Sequence, residues 1–145
     1  MSGTRSLQDA IDDVGRRYGL TELYVFGSRA EEIAARVRGR AAGAAGTSDV
    51  DVGVRPLRGV RLTLDRVVDL ADELERLFDA PRVDVVVLPE AKAFLALDVI
   101  RGELLYCADP HAQAEYELYV LARAGELAPH QRARQELALS RYADR

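Results

Sequence analysis

The sequence predicts an α/β (α+β) chain in which a small mixed β-sheet is flanked by helices. Two observations carry that expectation. Segments with apolar residues at helical spacing alternate with short runs rich in Val, Tyr and Phe. No internal repeat and no shift of composition divides the alternation, so residues 1–145 are expected to form one domain, its core over about 20–120 with a C-terminal helical extension.

The elements follow in order. Leu7, Ile11, Val14 and Tyr18 recur at helical spacing and Gly19 follows as a stop, which predicts a helix over 6–18. Leu23-Tyr24-Val25-Phe26 is a β-rich run that ends at Gly27-Ser28. A helical pattern resumes from Arg29 to Arg38 and dissolves into an Ala/Gly-rich loop over 39–47. A second strand is expected over 49–54, where acidic and apolar residues alternate. Leu64, Val67, Val68, Ala71, Leu74 and Leu77 define the clearest helix, ended by Asp79-Ala80-Pro81. Residues 83–88 form a third strand, apolar around Asp84 and so expected to be central, with Pro89 closing it. A helix over 91–101, a strand over 103–107, a helix over 110–124 and a separate helix over 129–142 complete the chain.

Composition narrows the function. Net charge is −4, which argues against a domain that coats nucleic acid, and the basic cluster Arg36-Val37-Arg38-Gly39-Arg40 is expected to be a solvated helix end. No apolar run approaches the roughly 20 residues that span a bilayer. Residues 1–9 have no apolar stretch behind a basic start, so a cytoplasmic protein is expected. One cysteine, Cys107, cannot pair within the chain and is expected to be a buried structural thiol. With two histidines, His111 and His130, both expected near helix starts on the surface, the usual zinc sites lack donors.

Three features carry chemistry. Residues two apart on a strand share a face, so Asp49 and Asp51 present two carboxylates side by side while Val50 and Val52 point to the core. Such a pair is either a solvated acidic edge or a site for a hard divalent cation, magnesium above all. Asp84, alone among valines, needs a partner: a cation shared with the first pair, or an arginine. Gly27-Ser28 at a strand-to-helix junction offers close backbone approach and a hydroxyl, which suits a phosphate or a simple helix cap.

Together Val25-Phe26-Gly27-Ser28-Arg29-Ala30, Ser48-Asp49-Val50-Asp51-Val52-Gly53-Val54 and Val83-Asp84-Val85-Val86-Val87-Leu88 resemble the DNA polymerase β-like nucleotidyltransferase superfamily. Within it the likeness is to the minimal nucleotidyltransferase (MNT) antitoxins of HEPN/MNT toxin–antitoxin systems, and Val99-Ile100-Arg101-Gly102-Glu103-Leu104-Leu105-Tyr106 is similar to that family's closing helix and strand. The segment 29–48 is longer than the family's usual linker, with the excess in the Ala/Gly-rich stretch, where an insertion costs little.

The resemblance implies a polymerase β-like nucleotidyltransferase fold and a transfer of AMP from ATP to a tyrosine hydroxyl of a HEPN RNase toxin. It implies Asp49, Asp51 and Asp84 as catalytic residues and ligands of two Mg2+ ions. Gly27 and Ser28 would hold phosphates, and Arg29 would assist electrostatically or be spent on a helix-surface ion pair. Two other functions fit the same residues: an inactive antitoxin that blocks its toxin sterically, and a small-molecule transferase of the aminoglycoside-modifying kind. Tyr116, Leu118 and Tyr119 are candidate partner contacts, although packing on the core is the expectation for them.

Overall fold

The protein's structure, a computed structural model, describes the backbone of residues 5–40 and 46–143, and the side chains of 5–40 and 46–127. Most of the Ala/Gly-rich loop and the side chains of the last expected helix lie outside that range.

Local chemistry sets the element ends. Helix α1 (Leu7–Arg17) starts where the Ser6 hydroxyl accepts the Asp9 amide at 3.0 Å. Strand β1 (Leu20–Phe26) leads through a turn to helix α2 (Ala30–Val37), and strand β2 spans Val50–Pro56. Helix α3 (Leu64–Phe78) is capped by Thr63, whose hydroxyl accepts the Arg66 amide, and stops at Asp79 in the left-handed region (φ 50°). Strand β3 (Val83–Val87), a 3-10 turn (Leu88–Glu90), helix α4 (Ala93–Ile100), strand β4 (Glu103–Cys107) and helix α5 (Pro110–Ala143) follow.

The sheet has the order β3-β2-β1-β4, with β1 antiparallel to both β2 and β4 and β2 parallel to β3. Helix α3 makes the crossover that a parallel pair requires. Every residue of β1 but its last is buried, as befits a strand covered on both sides. Leu23, Val25, Val50, Val52 and Val54 pack with Ile11, Ile33, Leu70, Leu74 and Phe78 of α1, α2 and α3. Tyr24 packs with Leu97 and Val99 of α4 and Val120 and Ala124 of α5 in a second cluster. Gly53 lets α4 settle on the sheet, because a Cβ there would lie 2.3 Å from Val99 Cγ1.

Several expectations are corrected. Strand β3 is an edge strand, not a central one, and its valines at 85, 86 and 87 are only half-buried. The helices expected over 110–124 and 129–142 are one helix of 34 residues, running on through Gly125 and Pro129 and placing His130 well past any helix start. An interior Gly costs a helix about 1 kcal/mol and an interior Pro about 3 kcal/mol, and this long helix runs on through both. Cys107 is half-buried rather than buried, although burial still raises its thiol pKa. Leu118 (67% exposed) and Tyr119 (57%) stand on the surface, and of the three candidate contacts Tyr116 alone packs against a core cluster.

Candidate active site

The site assembles where β1 ends and β2 and β3 begin. Phe26, the last residue of β1, is paired with Asp51, so the next residue, Gly27, turns directly above that carboxylate. Gly27 has φ +80°, and a Cβ there would sit 2.8 Å from Asp51 Oδ2. Glycine is therefore required twice over, for the backbone angle and for the approach. Ser28 is exposed beside it and is not the cap of α2; Arg29 occupies that position without a side-chain cap bond.

Across the other side of β2, Asp51 and Asp84 are register partners on parallel strands. Partners in register project from the same face, so the two carboxylates are neighbours. Asp49 lies one residue before β2 rather than within it, exposed, on the approach to the same spot. Burial, and then the charges of Asp84 and Asp49, push the Asp51 carboxyl above the ordinary aspartate range.

The arrangement is not a finished metal cage. Among the described residues no three His, Cys, Asp or Glu side chains are already grouped to hold an ion. Asp84 Oδ1 instead accepts from Arg82 Nε at 2.9 Å, an exposed pair of the kind that contributes little. The donors still suit a hard cation: they are all carboxylate oxygens, and among the described residues neither Asp49 nor Asp51 has an ion-pair partner. The space that a Cβ on residue 27 would fill lies open against Asp51.

Arg29 faces inward. It is 4% exposed, and its Nε and Nη2 donate to both oxygens of Glu32 at 3.1 and 2.7 Å. The ion pair expected as an alternative is present, buried rather than on the helix surface. Two arginines of the basic cluster at 36–40 are likewise tied down: Arg36 donates to Glu32 and to the Phe78 carbonyl, and Arg38 pairs with Glu103 at 3.1 Å. Glu32 belongs to none of the motifs that mark the site in the sequence. Its spacing to Arg29 and Arg36, the ion-pair spacing of a helix, is the sequence signal that points to it. A groove of about 740 Å³, lined in part by Arg58, Arg61, Val85 and Val87, lies by the other ends of β2 and β3 and does not include the carboxylates.

A mixed four-stranded sheet with an Asp-x-Asp entering one strand, an in-register Asp on the next and a Gly-Ser turn above defines a class: nucleotidyltransferases. The profile described as "Polymerase beta, Nucleotidyltransferase" matches residues 10–111, and the chain belongs to that family. No curated protein matches the chain by sequence. Among solved structures, a chain of a toxin–antitoxin complex with AMP-PNP superposes with a TM-score of 0.68 at 19% identity, covering 91% of this chain and 98% of that one. A chain of the MntA–HepT toxin–antitoxin structure gives 0.66 at 18%, covering 92% and 97%. The tri-AMPylated Shewanella oneidensis HEPN toxin in complex with MNT antitoxin supplies a further match, again 0.66 at 18%, over 92% and 96%. These likenesses show the fold. No helix among the described residues is long and apolar enough to cross a membrane.

Proposed function

We propose that this chain is an antitoxin that transfers AMP from ATP to a tyrosine hydroxyl of a HEPN-domain RNase toxin. The observation that carries the reading is the register pairing of Asp51 with Asp84 beneath the Gly27 turn. The solved neighbours add a partner class and a nucleotide: a HEPN toxin carrying AMP beside an MNT antitoxin, and a complex with AMP-PNP.

Asp49, Asp51 and Asp84 are the residues that would hold Mg2+, and a bound pair of ions stabilises the entering and leaving oxygens of a displacement at phosphorus. The remaining roles belong to the chain itself. The Ser28 hydroxyl and the Gly27 amide donate to the terminal phosphates and orient the α-phosphorus toward the incoming hydroxyl. A carboxylate oxygen of Asp84 takes the proton of that hydroxyl. The tyrosine oxygen then bonds to the α-phosphorus, the bond to the bridging oxygen breaks, and pyrophosphate leaves with the electron pair.

The test is transfer of label from α-32P ATP to a HEPN protein encoded beside this chain, with and without Mg2+. Label should reach the toxin with wild-type protein and not with Asp51→Asn; equal labelling by both would refute the site. A second reading, steric neutralisation without catalysis, draws on the Arg82–Asp84 pair, which occupies one proposed ligand. It is supported instead if an Asp49→Asn/Asp51→Asn double variant still rescues cells from the toxin.

A further inference from the structure

Asp49 precedes β2, outside the strand ladder, so something other than β pairing has to fix it. The residue before it is held from below. Arg29 Nη1 donates to the carbonyl of Ser48 at 2.8 Å, while its Nε and Nη2 grip Glu32 in a two-bond fork. Glu32 in turn accepts the Gly46 amide at 2.9 Å and Arg36 Nη2 at 2.7 Å. The junction is tight: a Cβ on Gly46 would lie 2.9 Å from Arg29 Nε and 3.0 Å from Glu32 Oε1.

From this geometry we infer that Arg29 and Glu32 form one positioning unit, which fixes the backbone at Gly46 and Ser48 and thereby aims Asp49 at the cation site. The inference rests on the metal-site reading for its purpose, but the clamp itself stands on the bonds alone. It also gives Arg29 a role that is not phosphate binding. Three of its five N–H donors are committed to Glu32 and Ser48, and the whole residue is buried.

The clamp matters because of what lies between its ends. The chain leaves α2 at Val37 and must return to β2 at Val50. The helix that the linker leaves is the helix whose Glu32 catches it again at Gly46. A planar fork suits this task and a lysine does not, since an ammonium cannot span both Glu32 oxygens while reaching Ser48. The charge pairing runs the same way: the Arg29 guanidinium, first among several donors, holds the Glu32 carboxyl below the usual range.

Glu32 is the discriminating residue, because a carboxylate has no reason to touch a triphosphate. The experiment compares wild type with Glu32→Gln and Arg29→Lys, in two arms. In metal-free protein, amide hydrogen exchange is read over a peptide spanning 46–51 and over β3. Both variants should speed exchange at 46–51 and leave β3 unchanged. In the second arm Mn2+ is titrated by its EPR signal, and both variants should bind it roughly tenfold more weakly, the usual scale for residues that orient ligands. Glu32→Gln with wild-type exchange and wild-type Mn2+ affinity would overturn the inference and return Arg29 to a phosphate role. Faster exchange at 46–51 with no Mn2+ binding even by wild type would keep the clamp and sink the metal reading beneath it. Should Arg29→Lys fold poorly, Glu32→Gln and Gly46→Ala answer the same question, Gly46→Ala being expected to raise exchange at 46–51 as well.

Discussion

Asp51 and Asp84 face each other in register on parallel strands, and the pair is not neutralised equally: Arg82 sits on Asp84, while among the described residues Asp51 has no ion-pair partner and feels the like charges of Asp84 and Asp49. That asymmetry has consequences for pH, cations and stability.

Asp51→Asn should stabilise the metal-free protein at neutral pH. The sign follows from the raised carboxyl, whose native form holds its proton more tightly than the unfolded chain does. Its contribution is present below the unfolded value of about 4 and is lost as pH rises through the higher folded value. The variant should therefore melt above wild type at pH 7 and level with it near pH 3.5. Thermal melts across that range check it; a variant that melts lower at pH 7 contradicts it.

Arg82→Ala removes an exposed partner from Asp84. Stability in urea should stay within about 1 kcal/mol of wild type. Mn2+ should bind the variant at least as tightly, because the cation no longer displaces a guanidinium. Weaker binding would mean that Arg82 helps to hold the site rather than competing for it.

How much of this was legible in the sequence depends on the kind of contact. The α3 stripe and the valine-rich strands announce themselves by period. The β1 start at Leu20–Glu22 did not, because Glu22 is a fully buried carboxylate made tolerable by Arg55 at 2.7 Å, and hydropathy reads it as exposed. The apolar run at 83–87 suggested a central strand, but a valine on an edge looks the same in sequence as one inside. Asp51 and Asp84 could be paired from motif order, whereas the Glu32 hold on Gly46 crosses a linker whose return path no local pattern encodes.

Gly27→Ala combines a strained backbone with a contact on Asp51. The cost of a left-handed φ for an alanine is about 1–2 kcal/mol, and the 2.8 Å approach to Asp51 Oδ2 adds to it. Urea melts should show that loss, and Mn2+ affinity should fall with it. Unchanged Mn2+ affinity in the folded variant would separate the turn from the carboxylate.

Gly53→Ala should cost about 1–3 kcal/mol by overpacking against Val99, which is 2.3 Å from where the Cβ would lie. Val99→Ala in the same chain should recover part of the loss, since it removes the atoms that clash. Additive losses in the double variant would locate the strain elsewhere.

The most direct measurement is a Mn2+ titration, read by EPR, of wild type, Asp51→Asn and Asp84→Asn, with circular dichroism to establish that each is folded. Wild type should bind the ion and each variant should lose tenfold or more in affinity, because the two carboxylates act on one cation. An Asp84→Asn protein that binds Mn2+ as wild type does would show that the carboxylates of β2 and β3 do not share a site.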